Sequence, residues 1–176
     1  MLQQKIKNSL RDVPNFPKPG IIFKDITPIL KDQILCSEIV DEFIVQLKDI
    51  EFDAIAGIES RGFLFGLMLA NKLNKPFIPI RKAGKLPHTT VQQSYDLEYG
   101  SAVIEMHADA FLPGQRILIH DDLLATGGTV EAASLLIQKM QGEIAGFSFL
   151  ISLDFLNGKE KLHSFSTNHI SLASFL

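Results

Sequence analysis

Short apolar runs and helical faces alternate along this chain, and that alternation limits the folds open to it. "FDAIAGI" reads as a short buried strand, and "GFLFGLMLANKL" after it as a helix. "KPFIPIRK" returns to strand, "SAVIEMH" and "QRILIHDD" follow as strands, "TVEAASLLIQKMQ" is helical, and "AGFSFLISL" is strand again. Upstream, "CSEIVDEFIVQLKDI" sets Ile39, Val40, Phe43, Ile44 and Leu47 on one helical face. Strand then helix, repeated, predicts an α/β fold: a mostly parallel sheet flanked by helices. Ligands of such sheets bind beyond the carboxyl ends of the strands. Three loops fall there: "ESRG", "RKAGKLP" and "DDLLATGGT".

Two segments break the rhythm. After a helical opening, Pro14, Pro17, Pro19 and Gly20 predict irregular chain, because proline blocks helix continuation and ladder hydrogen bonds alike. "KAGKLPHTTVQQSYDLEYG" has little periodicity and is long for a connection in a compact domain, which marks it as either a functional lid or a disordered segment.

Composition narrows the function classes. A length of 176 residues with 46% apolar content predicts one globular domain over the whole chain. A net charge of -3 supplies no general basic field for nucleic acid. Cys36 is the single cysteine, so an intrachain disulfide and a cysteine-rich zinc site are both excluded, and a reducing compartment fits. "MLQQKIKNSLRDV" lacks the apolar core of a secretory signal, and no apolar run approaches the roughly 20 residues of a membrane helix. Cytoplasmic residence is the expectation.

The most informative stretch is "ILIHDDLLATGGTV", Ile117 to Val130. A buried strand ends in Asp121 and Asp122, and "ATGGT" then enters a helix. Gly127 and Gly128 let backbone amides approach a ligand, Thr126 and Thr129 add hydroxyls, and the helix N-terminus adds unpaired N–H groups and a positive dipole end. That is a phosphate cradle. The lysine of a Walker A loop is missing, and the glycine spacing is not that of a dinucleotide fingerprint. Two carboxylates facing a phosphate would repel it, whereas carboxylates facing the 2′ and 3′ hydroxyls of a ribose would bind it. A 5-phosphorylated ribose presents both features.

This stretch resembles the phosphoribosyl-diphosphate motif of type I phosphoribosyltransferases. "FPKPGIIFKDITPIL", "ESRGFLFG", "IRKAGKLP", "SYDLEYG" and "PGQRILIHDDLLATGGT" all resemble segments of that family's adenine-using branch, in the same order, over about residues 14 to 134. "NGKEKL" is a weaker echo. The resemblance implies purine salvage by transfer of the 5-phosphoribosyl group from phosphoribosyl diphosphate to adenine, giving AMP and pyrophosphate. It further implies Mg2+ carried mainly by the diphosphate substrate, no protein metal cage, no nucleic-acid or membrane partner, and a homodimer.

Residue roles follow from the same resemblance. Ala125, Thr126, Gly127, Gly128 and Thr129 would hold the 5-phosphate, and Asp121 and Asp122 the ribose hydroxyls. Glu59, Ser60 and Arg61 would meet pyrophosphate, helped by the basic cluster Arg81, Lys82 and Lys85. Glu59 stands where many relatives carry aspartate, in a peptide that the family can hold cis. Residues 1–35 would form a hood over the base, with Phe23 stacking and the backbone at Ile22 and Lys24 reading adenine's nitrogens. Residues 82–101 would be a flexible catalytic lid, hinged at Gly84 and Gly100. Within it Glu98, near Tyr95 and Tyr99, resembles the residue that exchanges a proton with purine N7. The catalytic group is thus Glu98, Arg61, Asp121 and Asp122.

His88 and His120 depart from the family's usual residues, proline or glycine and an aliphatic. His120 is expected on the strand face away from substrate, and His107, His163 and His169 as structural. Regulators of the same fold need a DNA-binding element, and no spare helix-turn-helix or basic face is visible. A closer competitor is a relative acting on xanthine or a modified adenine.

Overall fold

The computed structural model describes residues 1–96 and 100–176. The chain opens with α1 (Leu2–Ser9), β1 (Arg11–Pro14) and β2 (Ile22–Asp25), followed by α2 (Gln33–Leu47) and β3 (Ala54–Ile58). Next come α3 (Gly62–Lys72), β4 (Phe77–Lys82), β5 (Thr90–Asp96), β6 (Ser101–His107) and β7 (Arg116–Leu124). The last elements are α4 (Gly128–Lys139), β8 (Glu143–Leu153), α5 (Gly158–Leu162) and β9 (His169–Phe175).

Seven strands form one sheet in the order β5-β6-β4-β3-β7-β8-β9. β4, β3, β7, β8 and β9 run parallel, while β6 pairs antiparallel with both β4 and β5. The expected mostly parallel sheet is therefore present, with an antiparallel hairpin at one edge. Its central strands are buried throughout, as in "AIAGI" of β3, because helices cover both faces. On one face α1, α2 and α3 pack over Leu118 and β9; on the other α4 packs over Ile117, Ile119 and Phe147. α2 begins where Asp32 accepts a hydrogen bond from the Leu35 amide at 3.0 Å, a cap worth about 1 kcal/mol. Among the described residues no helix is long and apolar enough to cross a membrane.

Three stretches differ from expectation. The proline-rich entry is not wholly irregular: β1 and β2 form a two-stranded antiparallel sheet of their own, with Val13 opposite Phe23. Pro14 ends the first strand, where its missing N–H costs no further ladder bond. The lid stretch contains a strand, Thr90–Asp96, fully paired with β6. β9, which has no counterpart among the strands expected from periodicity, completes the opposite edge. It also anchors the small sheet: the Lys24 ammonium lies 4.4 Å from the centre of the Phe175 ring and 2.7 Å from Asp12.

Candidate active site

β7 carries the central carboxylates, and it is longer than its apolar run. Asp121 and Asp122 lie inside the strand rather than beyond it, since pairing with β8 continues to Leu124. Pairing with β3 stops at His120, so the aspartates stand clear of that neighbour. Successive strand side chains leave by opposite faces. Asp122 follows Leu118 and His120 toward the α2–α3 side, and Asp121 follows Ile117 and Ile119 toward the α4 side.

Asp122 is nearly inaccessible, and Arg61 Nε lies 3.1 Å from its Oδ2. That approach is an ion pair without hydrogen-bond alignment, for Oδ2 has no hydrogen-bond partner. Asp121 accepts the Asp122 amide at 2.8 Å. Burial drives the Asp121 carboxyl well above its ordinary range, and the Asp122 charge adds to the rise. Burial raises Asp122 as well, against the opposing pull of Arg61. Asp122 Oδ2 thus lacks a hydrogen-bond donor, with Asp121 only half-buried beside it.

Arg61 follows the Glu59–Ser60 peptide, which is cis, and is the N-cap of α3. Its guanidinium is turned toward the hood: the carbon lies 4.6 Å from the Phe23 ring centre, and Nη1 reaches the Lys24 carbonyl at 3.5 Å. Phe16 meets Phe23 edge-on at 5.1 Å. Arg61 therefore joins Phe23 and Lys24 to Asp122. Ile22, the third expected base contact, is 56% exposed beside them.

The basic turn forms a second group. Arg81 donates from Nε to Glu59 at 3.0 Å and from Nη1 to the Lys85 carbonyl at 3.0 Å. Glu59 also accepts the Lys82 amide at 3.0 Å. Burial pushes the Glu59 carboxyl up, but the Lys82 amide and Arg81 outweigh it and hold it below its usual value. Lys82 and Lys85 are exposed. Glu59, Arg81, Lys82, Tyr95, Asp121 and Thr129 line one cavity of about 140 Å³ at the carboxyl ends of the strands. A larger depression of about 450 Å³, lined by residues including Asp53 and Arg116, lies at the other end of the sheet, away from these groups.

The phosphate loop has a support that spacing alone does not reveal. Gly127 holds φ +81 as the N-cap of α4, and a Cβ there would lie 2.7 Å from the Gly158 carbonyl oxygen. In return, a Cβ on Gly158 would overlap the Ala125 carbonyl oxygen and come within 3.0 Å of the Gly127 amide nitrogen. The weak echo "NGKEKL" is thus the segment that backs the cradle. A Cβ on Gly128 would meet nothing within 4 Å, so the open side of the cradle is at that residue. Thr126 is exposed, and Thr129 Oγ1 contacts Tyr95 Oη at 3.4 Å.

Glu98 and Tyr99 lie outside the described residues. Gly84 and Gly100, expected as hinges, hold φ +80 and +89. His88 holds φ +71, which accounts for glycine as an alternative there. His107 Nε2 lies 2.6 Å from the Pro87 carbonyl oxygen, a structural contact. His120 is fully buried against Phe43 and Ser148, on the α2 side. His169 lies between Phe147 and Phe149. Among the described residues no group of three or more His, Cys, Asp or Glu side chains is placed to hold a metal ion.

Residues 27–164 match the phosphoribosyl transferase domain family. The chain is 57% identical to an adenine phosphoribosyltransferase of Cytophaga hutchinsonii over 99% of its own length and 97% of that protein. It is 55% identical to one of Halothermothrix orenii over 92% of its length and 95% of that protein. Among solved structures, the adenine phosphoribosyltransferase of Thermoanaerobacter pseudethanolicus superposes with a TM-score of 0.95 at 46% identity, covering 99% of this chain and 100% of that one. The Saccharomyces cerevisiae enzyme, complexed with adenine and an imino-altritol bisphosphate, superposes with a TM-score of 0.90 at 38% identity, covering 97% and 98%.

Proposed function

The chain belongs to the adenine phosphoribosyltransferase family, and from that premise we propose how its own residues divide the work. The reaction transfers the 5-phosphoribosyl group from phosphoribosyl diphosphate to adenine, giving AMP and pyrophosphate. Adenine N9 attacks C1, the C1–O bond to diphosphate breaks, and C1 passes through an oxocarbenium-like state. The site must hold the ribose, stabilise the leaving charge and take the purine proton.

The observation that carries the assignment is the convergence on β7: Arg61 links the hood to Asp122, while Asp121 shares a cavity with the basic turn and Thr129. Asp121 and Asp122 accept the ribose hydroxyls, which supply the donor that Asp122 Oδ2 lacks. The loop from Ala125 to Thr129 takes the 5-phosphate on helix-end amides and hydroxyls. Adenine stacks on Phe23, taking the ring face that Arg61 now covers. The freed guanidinium then turns to the diphosphate, beside the amides following Ser60, with Arg81, Lys82 and Lys85 across the cavity. Arg81 already serves Glu59 and the Lys85 carbonyl, so it sets the shape of the turn while the two lysines supply mobile charge. β2 pairs with β1 along one edge only, which leaves backbone groups near Ile22 and Lys24 to read adenine. A 6-oxo purine would set an acceptor against an acceptor there and be rejected.

Mg2+ would be carried by the diphosphate substrate rather than by protein side chains, as its reluctant dehydration favours. When bound it would supply charge neutralisation for the leaving group. The two aspartates, already engaged at the ribose, fit such a substrate-borne ion better than a protein cage. Glu98 accepts the purine proton. Of the lid expected over residues 82–101, the part from Thr90 closes as the β5–β6 hairpin, keeping water from the cation. Two chains pair as a homodimer in the cytoplasm, and the apolar face of α3, with Leu64, Leu67 and Met68 exposed, supports the pairing.

Pyrophosphate release measured with adenine, hypoxanthine, guanine and xanthine in turn tests the reading. Activity with adenine alone is expected. Activity confined to a 6-oxo base would overturn the base assignment, and silence with all four would favour a regulator that binds phosphoribosyl diphosphate as effector.

A further inference from the structure

Glu105 sits in the middle of β6, paired in register with Arg81 of β4 and Gln92 of β5. Its neighbours Ile104 and Met106 are buried apolar residues, and Glu105 is itself only 2% exposed. A carboxylate is costly at such a position unless its oxygens are fully engaged. Here they are. Oε1 accepts the amides of Lys85 and Leu86, both at 2.9 Å. Oε2 accepts from Thr90 Oγ1 at 3.2 Å and Gln92 Nε2 at 3.1 Å.

The two amides belong to the basic turn. Its start is tied by the Lys82 amide to Glu59 at 3.0 Å and by the Ala83 amide to the Val103 carbonyl at 2.9 Å, while residues 82–85 are exposed and Leu86 is half-buried. One further strut is the Arg81 guanidinium, which grips the Lys85 carbonyl from the other side. The Lys85 backbone is thus held on both sides, its carbonyl by Arg81 and its amide by Glu105 together with the Lys82 carbonyl at 3.2 Å. Burial pushes the Glu105 carboxyl up, but the turn's amides and Gln92 outweigh it and hold it down at about 2. The group therefore stays anionic across the working pH range.

We propose that Glu105 is a positioning residue for the pyrophosphate end of the site, fixing the turn so that Lys82 and Lys85 meet the diphosphate in one geometry. The proposal rests on the assignment of that turn to pyrophosphate. An apolar residue would have completed the strand's buried row without a desolvation cost. What the carboxylate adds is reach to two amides that no sheet ladder satisfies.

Three substitutions separate reach from charge. Glu105→Ala removes both, Glu105→Asp keeps the charge but shortens the arm by one methylene, and Glu105→Gln loses the charge but keeps an oxygen within reach of both amides. A displaced clamp of this kind costs about 10- to 100-fold in the KM for phosphoribosyl diphosphate. That rise is expected in the Ala and Asp variants, with the adenine KM and the saturated kcat close to the parent's, and substantial rescue in the Gln variant. Parent-like KM in folded Ala and Asp variants, or equal damage in all three, would overturn it. If neither the Ala nor the Asp variant folds, amide exchange on the parent decides: slow exchange at Lys85 and Leu86 is expected, and exchange as fast as in free peptide would overturn it. Lys85→Ala is the control. An unchanged KM there removes the pyrophosphate assignment of the turn, whereas a raised KM beside parent-like Glu105 variants removes only the role of Glu105.

Discussion

Arg61 Nε stands 3.1 Å from Asp122 Oδ2 while the same guanidinium covers the ring of Phe23, so one side chain touches both the base end and the ribose end of the site. Removing the ring should therefore act on the base first. Base–aromatic stacking is worth roughly 1–3 kcal/mol, so Phe23→Ala should raise the adenine KM about 5- to 150-fold. Steady-state kinetics with each substrate varied in turn will check this, with the phosphoribosyl-diphosphate KM expected to move far less.

The aspartate pair trades stability for function. Burial and mutual repulsion lift the folded-state pKa of Asp121 above its unfolded value of about 3.9. A raised carboxyl stabilises the fold at low pH, and that contribution is lost as pH climbs toward the folded pKa. Asp121→Asn should therefore raise the ligand-free Tm at pH 7, with the gain closing toward pH 4, while activity collapses. In a domain of this size each 1 kcal/mol appears as roughly 2–4 °C. Melting curves from pH 4 to 8 on both proteins measure it, and a lower Tm at pH 7 would count against the buried-charge account.

The two glycines of the cradle should behave differently. Gly128→Ala projects a methyl into the open side, where nothing lies within 4 Å. AMP and phosphoribosyl-diphosphate binding should weaken while Tm holds or rises, since alanine favours the helix start by up to about 1 kcal/mol. Gly127→Val behaves otherwise, because a Cβ there meets the Gly158 carbonyl rather than a ligand. That variant should lose stability as well as affinity. Calorimetry and thermal melts on the same preparations will separate the two.

His120 gives an acid-stability signature. Burial holds its pKa down to about 3, so the neutral ring is the folded form. A depressed histidine contributes stability that is complete above its unfolded value of about 6.5 and is lost as pH falls toward the folded value. Replacing the His120–Ser148 pair by leucine and alanine should flatten the fall of Tm between pH 6.5 and 4. An unchanged slope would assign that fall to other groups, His169 first among them, since burial holds its pKa at about 4.

Glu98 carries the chemical prediction. General acid–base help of this type contributes about 10²–10⁴-fold, so Glu98→Gln should lower kcat within that range and leave phosphoribosyl-diphosphate affinity nearly unchanged. Parent-rate turnover of adenine by the variant would make Glu98 a surface residue.

Much of this arrangement is legible in the residues. The buried strands β3, β7 and β8 read directly, because strands covered on both faces are near-continuous apolar runs. The cradle read from glycine, threonine and the helix that follows. β5 did not, since "TVQQSYD" lies at the sheet edge and carries polar residues on its open side. Glu105 was hidden for a related reason: a lone glutamate in "SAVIEMH" looks like a solvent-facing strand position, and its amide partners are 19 and 20 residues away. Gly158 could have been found only by asking why a weak echo carries a glycine at all. The direction of Arg61 is a three-dimensional fact, set where the hood folds back onto α3.

The hood has a sheet to itself, and that separation bears on how such a protein can diversify. β1 and β2 share no ladder with the strands that carry the aspartates, the phosphate loop or the basic turn. Lys24 pairs with Asp12 inside the small sheet, and the contacts that leave it are side-chain ones, to Phe175 at the far end of the chain and to Arg61. Substitutions in the small sheet can therefore accumulate without shifting the register of β7. A lineage can change its preferred base by drifting in one mutational compartment while the handling of activated ribose stays under separate selection in the other.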